Sequence, residues 1–404
     1  MSKQVQESDV GVAGKSRRIL ALDLLRGFFL LVIMIDHIEL FPNGFDFFTG
    51  KGRLFVSAAE GFFFMSGLLI GMVYKRRLHL GMKFIFMKMW KRAAQLYLAS
   101  IFFTLLFVVW AVVSNHPAIK YGLPVPLDWH WIIKETLLMR YGFGWADFLM
   151  RFAILMFFAP FIFYLAAKRK WWLALIIIGT AWALRGENFS LGWQIIFNGG
   201  ILIGFYWQQL SDWYRKLKPQ RRKVLNRTVI TITAITFAYS YVSTYGQSLL
   251  NHYYYFSTSI PIWLKNFTFH WNSFNDWIWL YAQKWTMGPL RVFLFFCWFS
   301  VLYVLVRRHE IGINRKTRGV LELLGRNSLF VYIAHAFIVF IVKFFIPLGY
   351  TNFFQNFFYT TIGIILLVLT TVVYQLLRSN PIPKSLPEAK NFVSKGRSLL
   401  AGNS

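Results

Sequence analysis

Apolar runs of about 20 residues recur along the chain, separated by shorter polar stretches rich in Lys and Arg. A helix rises about 1.5 Å per residue, so each run is long enough to cross a hydrocarbon core roughly 30 Å thick. The pattern predicts ten spans, at about 19–40, 54–74, 93–114, 147–167, 171–186, 191–210, 228–246, 289–307, 328–350 and 354–377. Barrel strands would be shorter and strictly alternating, so the spans read as helices. The predicted fold class is all-α, a polytopic integral membrane protein with about ten transmembrane helices. Its predicted divisions are a tail over 1–18, a transmembrane domain over 19–377 and a second tail over 378–404. The first span is longer than a signal-peptide core and carries charges, which argues against a cleaved leader. No internal repeat is evident, which disfavours an inverted-repeat transporter.

Composition narrows the classes further. With 57% hydrophobic and only 15% charged residues, the chain is neither disordered nor an ordinary soluble enzyme. Its 44 Lys and Arg against 16 Asp and Glu give a formal charge of +28, which in a soluble protein would suggest nucleic acid. Here 32 of those 44 fall in the two tails and alternate connections, eight in the opposite set, and four (Arg26, Arg151, Arg291, Lys343) within spans. The bias predicts both termini in the cytoplasm and assigns the excess charge to lipid headgroups, with no nucleic-acid partner. The single cysteine, Cys297, lies in an apolar span, so intrachain disulfides and thiolate metal clusters are excluded.

The first span is unusual in holding Asp23, Arg26, Asp36 and His37. Charges at membrane depth cost roughly 2.5–3.5 kcal/mol each even on the lenient insertion scale, so this helix must face a protein interior or a wet cavity. Residues eleven apart at about 100° each return to within roughly 20° of one direction, so Arg26 and His37 share a face, about 16 Å apart along the axis. Asp23 lies three residues from Arg26 and can pair with it. Asp36 points about 100° away from His37. The second span runs the opposite way and brings Glu60 to the depth of His37, as acid–base chemistry would need. Gly61, Ser66, Gly67 and Gly71 of the same run suit close helix packing. His335, the other intraspan histidine, is placed nearer the cytoplasmic half, as either a structural or a site residue. Arg151 and Arg291 open their spans on the outer side, where snorkelling explains them; Asp147 and Arg151, four apart, can pair. No spacing of His, Asp and Glu supplies three ligands, so no metal is expected.

Two connections carry further chemistry. The outer connection 247–288 holds Tyr253-Tyr254-Tyr255, Trp263, Trp271, Trp277, Trp279 and Trp285, which reads either as an interfacial aromatic belt or as a platform for sugar rings. The inner segment from Lys75 to Arg92 is basic and amphipathic, suited to lipid headgroups or to the phosphates of an anionic ligand, with Lys91 and Arg92 the chosen contacts.

The run LDLLRGFFLLVIMIDH, with Arg26 and His37 separated by ten residues, resembles the Arg-x10-His signature of the acyltransferase-3 superfamily. More specifically the chain resembles the OpgC branch, membrane succinyltransferases of periplasmic glucans. The likeness continues, in order, through EGFFFMSGLLIGMVYKRR, KRAAQLYLAS, WADFLMRFAILMFFAP, GENFSLGWQIIFNGGILIG and LGRNSLFVYIAH. It implies acyl transfer from a cytoplasmic acyl-CoA-type co-substrate, succinyl-CoA being one candidate, to hydroxyls of an extracytoplasmic glucan or other polysaccharide. A multi-pass location in a bacterial inner membrane is implied too, with no permanently bound cofactor.

In that reading His37 is the general base, Asp36 or Glu60 fixes its tautomer, and Arg26 positions the donor or steadies developing charge. Asp23, Lys91, Arg92, Arg151, Arg291 and His335 are the candidate substrate and donor contacts. Transient acylation of His37 is the rival within the class. Outside it stand a proton-coupled transporter or flippase and a non-catalytic partner of a glycan-synthesis machine.

Overall fold

The computed structural model describes residues 19–379 apart from 121, 248–249, 252–260 and 347–351. The tail over 1–18, the second tail from 380 onward and the Tyr253-Tyr254-Tyr255 run lie outside the described residues. The described residues are helical and contain no strand. Helices of seven or more residues are α1 (Leu20–Ile38), α2 (Ala58–Lys75), α3 (Met82–Ser114), α4 (Trp129–Leu137), α5 (Asp147–Ala167), α6 (Trp171–Ala183) and α7 (Phe189–Phe205). They continue as α8 (Trp207–Lys216), α9 (Pro219–Tyr241), α10 (Ile262–Tyr281), α11 (Pro289–Lys316), α12 (Val320–Arg326), α13 (Ser328–Phe345) and α14 (Phe353–Ser379).

A helix lies at each of the ten apolar runs, yet only five of them are long and apolar enough to cross a membrane unaided. These are α3, α5, α11, α13 and α14, and a sixth is added if α7 and α8 count as one broken span. The polytopic all-α membrane class therefore holds, whereas length and composition do not by themselves support ten spans. At 13 residues α6 is only about 20 Å long, short of the roughly 30 Å a span needs. The run expected at 191–210 bends by 71° after Phe205. Beyond the bend, α8 is amphipathic and ends in Arg215 and Lys216, a composition suited to lying along an interface rather than continuing through lipid. Of the basic segment preceding the third run, residues 76–81 form the connection, and Met82 to Arg92 are the first turns of α3, because no Gly or Pro interrupts Met82–Ser114.

Helix α1 occupies the interior, packed against α2, α11, α12, α13 and α14, and its burial extends around the helix rather than along one stripe. It ends where Glu39 takes φ 60°, with Pro42 soon after. Helix α12 presses directly on α1. A Cβ on Gly325 would lie 1.8 Å from the Asp23 carbonyl oxygen, and one on Gly27 would lie 1.9 Å from that of Leu321, so neither position admits a side chain. This close seating delivers the start of α13 beside the start of α1.

The second close crossing joins α2 to α7, where Gly67 and Gly71 face the backbone of Phe197 and Ile201. The glycines expected to pack do so, Gly61 against the ring of Phe29 instead. A Cβ on Gly67 would fall 2.0 Å from the Phe197 carbonyl oxygen, whereas one on Gly312 in α11 meets nothing within 4 Å. Gly67→Ala is therefore expected to destabilise the detergent-solubilised protein by about 1–3 kcal/mol. Gly312→Ala should leave it unchanged or slightly stabilised. Thermal unfolding of the two variants checks the crossing.

Candidate functional site

Within α1 the ionisable residues meet partners from other helices at two levels. At the lower level, the Arg26 guanidinium donates to Ser328 Oγ at the start of α13 and lies 3.8 Å from Asp23 Oδ1, the pairing their spacing predicts. Asp23 Oδ2 is also 3.9 Å from Arg326 Nε at the end of α12. At the upper level, His37 Nδ1 stands 3.0 Å from His335 Nε2 of α13. The other ring nitrogen of His335, Nδ1, bonds the backbone carbonyl of Tyr332. Helices α1 and α13 thus run parallel, joined by Arg26–Ser328 and, farther along both, His37–His335.

A cavity of about 560 Å³ opens at the basic end of the bundle. Arg26, Arg76, Lys88, Lys91, Arg92 and Arg326 line it, with Asp23 the one acidic residue among the lining groups. Lys91 and Arg92, chosen from the sequence, are both there. Arg76 and Lys88 come from the same basic segment, while Arg326 had no sequence signal because only the α12–α1 crossing brings it in. Deeper in, the walls turn aromatic: Tyr332 stacks on Phe148 at 4.5 Å between ring centroids and on Phe62 at 5.8 Å. Tyr332 lies one helical turn before His335, its ring 4.6 Å from the imidazole, so the cavity ends against the histidine pair. His335, expected nearer the donor side, instead meets His37.

The two carboxylates expected to orient His37 are engaged elsewhere. Glu60 is fully buried; its Oε1 accepts from Arg291 Nε at 2.5 Å, and its Oε2 accepts from both the backbone and the hydroxyl of Ser57. The spacing Ser57-x-x-Glu60 is that of a capping box, the sequence signal that marks Glu60 as a helix-start residue. Arg291 does not snorkel. It is fully buried and also donates to the carbonyls of Ala282 (3.0 Å) and Leu54 (3.2 Å), tying the starts of α2 and α11 together. Asp36 faces the turn at Gly52, beside Lys284, whose ammonium donates to the Gly52 carbonyl at 3.3 Å. Burial pulls Lys284 below the usual lysine range, a shift that the Glu60 and Asp36 carboxylates oppose. Lys284 lies in a connection whose aromatics dominate its sequence pattern, and no local signal singles it out.

Arg151 does not snorkel either. Its Nε is 3.2 Å from Asp147 Oδ2, as the spacing allows, and its guanidinium carbon sits 4.1 Å from the Phe189 ring centroid and 4.7 Å from that of Trp285. The outer aromatics divide in the same way. Trp279 packs on Phe55 and donates to Ser243 Oγ, and Trp271 packs near Tyr239, while Trp263 and Trp277 of α10 remain exposed.

The Glu60–Arg291 pair is a structural node, and its energetics follow from burial. Arg291→Met strands a buried carboxylate and is expected to cost about 3–5 kcal/mol. Adding Glu60→Gln removes that stranded charge, so the double variant should be more stable than Arg291→Met alone. Unfolding measurements on the single and double variants check the coupling.

No curated protein matches the chain. A family model described as OpgC protein matches residues 18–379, a stretch that contains α1 with Arg26 and His37, the basic cavity and His335. The chain belongs to the OpgC protein family.

Proposed function

We propose that the chain is a membrane acyltransferase that moves an acyl group from a phosphate-bearing thioester donor at its basic face to a hydroxyl of a glycan on the opposite face. The observation that carries this reading is the basic-mouthed cavity that ends, through Tyr332, against the His37–His335 pair. Lys and Arg clusters bind phosphates by charge-assisted hydrogen bonds, which suits an acyl-CoA-type donor. Family membership supports the acyl-transfer chemistry, with succinyl as the candidate group and a glucan as the candidate acceptor. Ten membrane-embedded helices, cytoplasmic termini and a bacterial inner membrane belong to the same proposal, with the basic face turned to the cytoplasm.

In this scheme His37 takes the proton of the acceptor hydroxyl as its oxygen attacks the thioester carbonyl carbon. The tetrahedral intermediate collapses with cleavage of the carbon–sulfur bond, and the imidazolium returns the proton to the departing thiolate. Arg26, on the same face of α1 and lining the cavity, holds the donor rather than the acceptor. In the same scheme the acceptor arrives at the end of α1 away from Asp23 and Arg26, where Asp36 and Lys284 flank the turn at Gly52. Arg291 has no open position for a second carboxylate on the acyl group, because its guanidinium is held by Glu60 and two backbone carbonyls, whereas Arg151 pairs through Nε with Asp147 and remains the candidate contact for such a carboxylate.

Mass spectrometry of extracytoplasmic glycans from cells with and without the chain tests the reading: acylated glycan is expected only with it, and movement of an unmodified substrate would support a transporter instead. His37→Gln keeps much of the side chain's volume and should lower transfer by about 10²–10⁴-fold while the protein still folds. A folded His37→Gln protein with near-normal transfer would contradict the mechanism. Replacing Lys91 and Arg92 with Gln should raise the donor KM with little change in kcat, the sign of lost uniform binding. Steady-state kinetics with varied donor measure both parameters.

A further inference from the structure

We propose that His335 is a positioning residue, which with the Tyr332 carbonyl fixes the tautomer of His37 so that His37 presents Nε2 as its accepting nitrogen. The inference rests on the proposed role of His37 as a base. Its premises are two hydrogen bonds and one fact of valence. A backbone carbonyl can only accept, so the nitrogen of His335 that meets the Tyr332 carbonyl, Nδ1, must carry a proton. In the neutral ring the other nitrogen, Nε2, then holds a lone pair and must accept. Its partner 3.0 Å away is His37 Nδ1, which therefore carries the proton of that ring. The lone pair of the His37 ring is then on Nε2, the atom that can take a hydroxyl proton.

Serine-triad enzymes hold their imidazole in the corresponding state with a carboxylate. Here Glu60 is committed to Arg291 and Ser57, and Asp36 faces the turn at Thr49 and Gly52 rather than the imidazole pair. A neutral imidazole in their place orients the ring without adding a charge at the centre of the bundle. It is itself held rigidly: His335 is buried, and its carbonyl partner belongs to its own helix. During transfer the proton from the hydroxyl goes to His37 Nε2 and leaves from it to the thiolate. The Nδ1 proton stays in the His37–His335 bond, so no proton passes to His335.

Nitrogen-15 NMR of the whole protein, labelled at histidine, reads the tautomers directly, with His37 and His335 assigned from the spectra of His37→Gln and His335→Gln. The expected result is a protonated Nδ1 and an unprotonated Nε2 at both rings. A His37 protonated on Nε2, or a tautomer mixture that is the same in wild type and in His335→Leu, overturns the proposal. Kinetics supply the second arm. His335→Leu removes the acceptor and should lower kcat by roughly 10–100-fold with both KM values unchanged. In His335→Gln the amide oxygen takes the place of Nε2 and should restore most of the rate. An equal loss in both variants, or a change confined to KM, also counts against it. If wild type transfers no acyl group, the function proposed above fails while the NMR result still decides the tautomer.

Discussion

A 19-residue apolar helix that carries Asp23, Arg26, Asp36 and His37 cannot turn those four groups to lipid. Each of those groups must be met by protein, and the bundle is arranged so that it is. Helix α12 seats itself on α1 through Gly27 and Gly325, and this brings Arg326 toward Asp23 and Ser328 to Arg26. Helix α13 then runs alongside α1 and supplies His335 to His37. The first turns of α2 and α11 supply Glu60 and Arg291 as a second, separate buried pair. The placement of α12 and α13 thus follows from satisfying α1.

The same helix links the two faces of the bundle. Arg26 and His37 are about 16 Å apart along α1, roughly half of a hydrocarbon core near 30 Å. A ligand held by its phosphates among Arg76, Lys88, Lys91 and Arg92 would need a long, slender arm to extend past Arg26 toward Tyr332. A thioester on such an arm would stop at an aromatic wall of Phe62, Phe148 and Tyr332, with the histidine pair behind it. Tyr332 serves both sides of that wall, its ring closing the cavity and its carbonyl holding His335.

Much of this was legible in the chain, and what was not shares a cause. Short-range helical geometry gave the shared face of Arg26 and His37, the Asp23–Arg26 approach and the Asp147–Arg151 pair, because residues three, four or eleven apart have fixed relations on a helix. Contacts between distant segments were not available in that way. His335 is 298 residues from His37, and Arg291 is 231 residues from Glu60, so depth in the membrane is all that sequence reveals of either. Depth alone assigned Glu60 to His37 and left Arg291 to snorkel; lateral packing pairs Glu60 with Arg291 instead. The capping-box spacing Ser57-x-x-Glu60 is the local signal for the role of Glu60 at the start of α2. The span count differed for a related reason. Apolar runs mark where helices form, whereas the 13-residue length of α6 and the 71° bend after α7 are set by where each helix breaks, which a long apolar stretch does not disclose.

In the proposed function a single helix, α1, connects a donor site on the basic face to a transfer site reached from the other. That connection is tested most directly in sealed proteoliposomes of known protein orientation, with labelled acyl-CoA on one side of the bilayer and glycan acceptor on the other. Labelled glycan is expected when the donor is on the basic face and the acceptor opposite, without any need to permeabilise the vesicles. Product formed only when donor and acceptor share one side would contradict it.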